Sequence, residues 1–204
     1  DILHLDAFRP VVQTFQNGQG NAIEAILATT AQFVQESLRA DLVTITDSIF
    51  PCYTWLFAAN YSSSEIAAFS RQLAQLLQPL QPLIIYLNSD VARCLDRAVA
   101  QRGRQWLDEL MVAMQRYTYC QSQPIQDRSD VVAFFQATSQ LSRDLLTEWP
   151  HPVLMLDTTI APLDQVATQL LDHFALTLQA TVAMPAPDEL QRYVGRYVAQ
   201  DMAA

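Results

Sequence analysis

The chain has 204 residues, half of them hydrophobic, and a net charge of −9 in which every basic side chain is an arginine. That length suits one large domain or one domain with a short appendage, and so acidic a surface repels nucleic-acid backbones, so no DNA or RNA polymer is expected as a partner. No apolar run approaches the roughly 20 residues that span a bilayer, so no membrane is expected either.

Cys52, Cys94 and Cys120 are odd in number and far apart. That fits neither a disulfide framework nor a zinc site. They read as reduced, mostly buried thiols of a cytoplasmic protein. No charged-then-apolar leader opens the sequence. The first residue is Asp1 rather than Met, so the chain is expected to begin inside a longer gene product.

In chain order, Leu3 to Phe8 alternates like a strand end and stops at Pro10, and Gln16 to Gly20 is a polar loop. From Ala22 to Leu38, apolar residues recur at helical spacing. Leu42 to Thr46 is short and β-branched, which predicts a buried strand. Tyr53 to Ala59 forms one or two helical turns lined by Trp55, Leu56 and Phe57. Ser62 and Glu65 have the spacing of a capping box. The helix they open shares Ile66, Phe69, Leu73, Leu76 and Leu77 on one face and ends before Pro79. Pro82 to Leu87 is a continuous apolar run, which predicts a central parallel strand covered on both faces.

Asp90 caps the next helix, with Val91, Leu95 and Val99 inward, until Gly103 interrupts it. Trp106, Leu107, Leu110, Met111 and Met114 continue the pattern. Asp127 to Asp130 is a turn, and Val131 to Leu146 an amphipathic helix. His151 to Leu156 is the next strand, and Pro162 opens a helix through Val166, Leu170 and Phe174. Met184 to Pro187 reads as a linker; Asp188 to Val198 is either the opening of a second small domain or a docked terminal helix. Strands separated by long helical connections imply right-handed crossovers and a parallel sheet. The predicted fold is α/β, a three-layer parallel sheet flanked by helices, over residues 1–182, followed by a linker and terminal segment over 183–204.

In an open parallel sheet, ligands gather beyond the carboxyl ends of the strands. Asp47 and Ser48 follow the first clear strand, Asn88, Ser89 and Asp90 the second, and Asp157, Thr158 and Thr159 the third. The last two sets also suit turn and cap chemistry. Asp47 can hold magnesium through water or accept a hydroxyl proton, or it can cap a turn. Arg97, Arg102 and Arg104 lie close together around Gly103. Guanidiniums grip phosphate oxygens in pairs, and such a segment can fold over a triphosphate. The alternative is a solvated helix face with pairs such as Asp96 to a nearby arginine. Tyr53 and Trp55 can stack on a ligand ring or pack in the core. His4, His151 and His173 are isolated, and no Gly-x-Ser-x-Gly elbow is present.

The order from Asp47-Ser48 through the aromatic helix, Ser62-x-x-Glu65, Pro79 to Leu87, Asp90-Val91, Arg102-Gly103 and Trp106 resembles bacterial P-loop proteins of the thymidylate kinase/deoxynucleoside kinase-like superfamily. The likeness spans roughly Ala22 to Leu178. It implies an ATP-dependent phosphotransferase acting on a nucleoside, nucleotide or similar small-molecule phosphate acceptor, with ATP and Mg2+ as cofactors and a homodimer compatible with it. It places Arg97, Arg102 and Arg104 at the ATP phosphates, Arg102 also acting in catalysis. Asp47 falls in the magnesium shell or acts as base. Ser48, Tyr53 and Trp55 fall beside the substrate, and Asp6 and Arg9 near the acceptor. A Walker A loop needs Gly-x-x-x-x-Gly-Lys-Ser/Thr, and this sequence has no lysine and only Gly18, Gly20, Gly103 and Gly195. Either that loop precedes Asp1, or the protein is a non-catalytic α/β binding or regulatory module that has lost the P-loop. Ser48 also stands where the family has an arginine.

Overall fold

The structure is a computed structural model, and it describes residues 22–40, 45, 51–161 and 163–175. Asp6, Arg9, Asp47 and Ser48 lie outside the described residues, as do Leu3 to Phe8, Pro162 and everything from residue 176 onward. Of the expected strand Leu42 to Thr46 only Ile45 is described; it belongs to no strand and is 93% exposed. The chain divides into two compact units, Asp1–Ala161 and Pro162–Ala204.

In the first unit, helix α1 (Ala22–Ala40) buries Ala22, Ile26, Thr30 and Val34. These are successive i, i+4 positions, which stack along one helix face. Thr30 can join them because its hydroxyl donates to the Ile26 carbonyl at 2.8 Å. Helix α2 (Pro51–Ala58) begins at a proline, whose fixed φ and missing N–H suit a first turn. Asn60 follows it at φ 66, a left-handed conformation that asparagine tolerates, and the chain turns there.

Helix α3 (Ser63–Leu77) starts with the expected capping box. Glu65 accepts from the Ser62 N–H at 2.8 Å, and Ser62 Oγ accepts from the Glu65 N–H at 3.3 Å. A 3-10 turn, Gln78–Leu80, ends on Gln81 at φ 48, which reverses the chain into strand β1 (Ile84–Asn88). Helices α4 (Val91–Arg102) and α5 (Arg104–Met114) meet at Gly103, whose φ of 89 strains any other residue. A short helix α6 (Thr118–Ser122), not foreseen in the sequence, precedes α7 (Arg128–Thr147). Asp127 caps α7 in a second reciprocal box with Asp130. Strand β2 (Val153–Asp157) closes the unit.

The buried residues form two clusters. The larger joins α1, α2, α3, Ile84, the end of α7 and Trp149. The smaller joins Ala58, Leu95, Leu107, Met114, Cys120, Ile125, Val131 and Phe134. Phe57 packs on both, and its ring lies 4.6 Å from Tyr119 and 5.6 Å from Phe134. In the second unit, α8 (Leu163–His173) carries Asp164 in its first turn, where the helix dipole favours a negative charge.

The sheet corrects the expected fold class. Among the described residues it has two five-residue strands, parallel, paired Ile84 to Val153 through Asn88 to Asp157. The rest is overwhelmingly helix. This is a mostly helical domain with a minimal open sheet, and not a three-layer parallel sheet flanked by helices. β1 is also not a strand covered on both faces, since Ile85 is 41% and Leu87 57% exposed. A continuous apolar run records hydrophobicity, not what lies against it, so the sequence could not distinguish a central strand from a half-covered one. The resemblance to P-loop kinases falls with the sheet. With it fall the phosphotransferase expectation, its attributes of kinase and P-loop NTPase, and the alternative of an α/β module that lost its loop.

Candidate functional site

The two polar segments that follow the strands come together because the strands are parallel and in register. Asn88 and Asp157 form the last rung. Beyond them, the Thr158 N–H and hydroxyl both donate to the Asn88 carbonyl, at 2.7 and 3.0 Å. The Asp90 N–H donates to Thr159 Oγ1 at 2.9 Å, locking the two turns to each other. Asp90 also caps α4, accepting from the Arg93 N–H at 2.8 Å.

Arg143 enters this cluster from α7. Its Nη1 donates to Asn88 Oδ1 at 3.1 Å, and its Nη2 to Gln140 Oε1 at 2.6 Å. Guanidinium has no acceptor, so the Asn88 atom it meets must be the carbonyl oxygen. The carboxamide NH2 of Asn88 therefore faces away from Arg143. Asp157 is exposed and accepts from the Thr159 N–H at 2.8 Å. That bond and the Thr159 hydroxyl hold its carboxyl below the usual carboxylate range, so it is an acceptor at neutral pH. Tyr86, two rungs earlier, is half-buried, and burial pushes its phenol up, opposed by Arg143 and by hydrogen bonds with Ser139 and Ser142.

On the α4 side, Cys94 Sγ donates to Ser89 Oγ at 3.0 Å, and Arg97 Nη2 donates to Cys94 Sγ at 3.2 Å. Arg97 thus borders the strand ends. Arg102 and Arg104 have other local partners. The Arg102 guanidinium lies 5.1 Å over the Trp106 ring, and Arg104 pairs with Asp108 at 3.2 Å, both side chains exposed. Asp96 pairs with Arg128 at 2.6 Å, across to α7, and not with Arg97, Arg102 or Arg104.

Tyr53 is fully enclosed, its hydroxyl 2.8 Å from Ser70 Oγ and its ring edge-on to Phe69. It offers no surface to a ligand. Trp55 packs against the larger core cluster. Asp47, Ser48, Asp6 and Arg9 lie outside the described residues.

Arg143 was not singled out in the sequence. The available signal was a polar stripe, Ser139, Ser142 and Arg143, at helical spacing on a helix whose neighbouring positions are core. Among the described residues no three of His, Cys, Asp and Glu converge as a metal site requires. No described helix is long and apolar enough to cross a membrane. The chain matches no family model, no curated protein and no solved structure at a significant level.

Proposed function

We propose that this domain binds a small polar molecule at the carboxyl ends of β1 and β2, through an edge that carries an acceptor and a donor side by side. One observation carries the reading: the in-register pair Asn88 and Asp157, with the Asn88 carboxamide oriented by Arg143. Neighbouring strands lie about 4.8 Å apart, so the pair presents one donor and one acceptor group at the spacing of a ligand edge. Amides and vicinal hydroxyls have such edges. Thr159, Ser89 and Arg97 stand around the pair and supply further hydroxyl and cationic contacts.

The test uses acetamide and glycerol as fragment probes, followed by amide chemical shifts in the isotope-labelled chain. Binding at this site moves Ser89, Asp90, Thr158 and Thr159, and Asp157→Asn and Asn88→Leu each remove the response. If both probes leave these amides unmoved, or if the two variants respond like the parent, the assignment fails.

A further inference from the structure

Between α3 and the end of α7 lies a small recess of about 20 Å3, room for one water-sized group. Ala67, Ala74, Leu145 and Pro150 give it apolar walls. Arg71, from α3, and Glu148, the residue that ends α7, line it together. Both also line an open groove of about 830 Å3, within the range of small-ligand sites. The two elements are tied to each other here. His151 Nε2 lies 2.9 Å from the Ala74 carbonyl, and Trp149 is buried in the same core cluster as Ala74 and Leu145.

Two features distinguish this recess from an ordinary polar surface. Opposite charges share it, yet among the described residues neither Arg71 nor Glu148 takes part in a hydrogen bond or an ion pair. In addition, α7 ends here with no basic residue in its last turn, so no side chain of that turn balances the partial negative charge of its carboxyl end. The Glu148 carboxylate adds to that charge, and this side of the recess attracts a cation. The Arg71 guanidinium beside it attracts a carboxylate. We infer that the recess binds a free α-amino acid, its ammonium on Glu148, its carboxylate on Arg71 and its side chain in the groove. One carbon separates the two charged groups of such a ligand. They therefore need neighbouring partners of opposite sign that are not paired with each other, as Arg71 and Glu148 are. The tie between α3 and the end of α7 is made without the ligand, which lowers the cost of ordering the site. This inference does not rest on the strand-end reading, and its residues are separate from that site.

L-Alanine is the probe, titrated into the isotope-labelled 204-residue chain. Amide shifts confined to residues near Arg71, Ala74, Glu148 and His151 are expected. Alaninamide, which lacks the carboxylate, and N-acetylalanine, which lacks the ammonium, should each bind about threefold more weakly, as the loss of one exposed charge pair implies. Arg71→Gln should erase the advantage of L-alanine over alaninamide and keep its advantage over N-acetylalanine; Glu148→Gln should do the reverse. Both residues are exposed, and a circular-dichroism melt confirms that the variants fold. L-Alanine that moves none of these amides overturns the inference. So does an analogue that binds the parent as tightly as L-alanine, or a pair of advantages that survives both substitutions.

Discussion

Asn88 and Asp157 lie 69 positions apart in sequence, counted from the shared register, yet occupy the same rung at the carboxyl ends of two parallel strands. Asn88 is oriented by Arg143 and Asp157 by the Thr159 N–H. Replacing Arg143 with methionine frees the Asn88 carboxamide to rotate. The strand-end response to acetamide should then weaken about tenfold, the equivalent of one charge-assisted hydrogen bond. Parallel titrations of acetamide into the parent and the Arg143→Met variant check this.

The half-covered sheet makes a direct stability prediction. Leu87 is 57% exposed, so Leu87→Ala should cost less than about 1 kcal/mol. Phe134, at 2% exposure within the smaller cluster, should cost about 3–5 kcal/mol on truncation to alanine. Urea denaturation of both variants measures the contrast. A loss at Leu87 as large as that at Phe134 means that the outer face of β1 is covered in solution.

Tyr53 and Ser70 share one buried hydrogen bond of 2.8 Å. Tyr53→Phe leaves the serine hydroxyl without that partner, at a cost of about 1–2 kcal/mol. Ser70→Ala does the same to the phenol. The double variant should lose less than the sum of the two, because both single changes remove one and the same hydrogen bond. A denaturation cycle of the three variants reads this directly.

Cys52 is buried and its thiol is pushed up to about 12 by desolvation. A folded value raised above the ordinary 9.0 stabilises the fold below 9.0 and loses that contribution as pH rises toward about 12. Native protein should therefore leave Cys52 unmodified by iodoacetamide at pH values where the denatured chain reacts, as mass spectrometry of the alkylated peptides shows.

Asp127 has the opposite sign. Its side chain accepts from the Ser129 hydroxyl and from the Ser129 and Asp130 N–H groups, which hold its carboxyl below the ordinary 3.8. The cap stabilises the fold above 3.8 and is lost as pH falls through the lower folded value. Asp127→Ala should lower Tm at neutral pH and flatten the acid limb of a Tm-against-pH curve; an acid limb identical to the parent's rules the cap out as a contributor.

Much of the helical architecture could be read in advance because its signals are short-range. Ser62 with Glu65 and Asp90 before Arg93 are caps made within three residues, and both open helices where expected; Asp127 to Asp130, expected as a turn before a helix at Val131, is instead the cap of a helix that begins at Arg128. The i, i+4 stripe of α1 is equally local. The start of β1 was displaced from Pro82 to Ile84, since a proline lacks the N–H a ladder needs. The polar sets after the two strands were also recognisable, and the structure unites them. Their orientation was not, because it depends on Arg143, which reaches Asn88 from a helix 55 positions later.

The amino-acid sequence by itself marked where several of the helices begin and which of their faces are apolar, and it placed strands over Ile84–Asn88 and Val153–Asp157 among the segments it expected to extend, since caps and periodicity act between residues a few positions apart. Only the tertiary structure decided how many strands pair, whether β1 is covered and which partners Tyr53, Asp96 and Asn88 take. Those outcomes depend on surfaces brought together from distant parts of the chain, and an apolar run or a lone arginine has the same appearance whatever is packed against it.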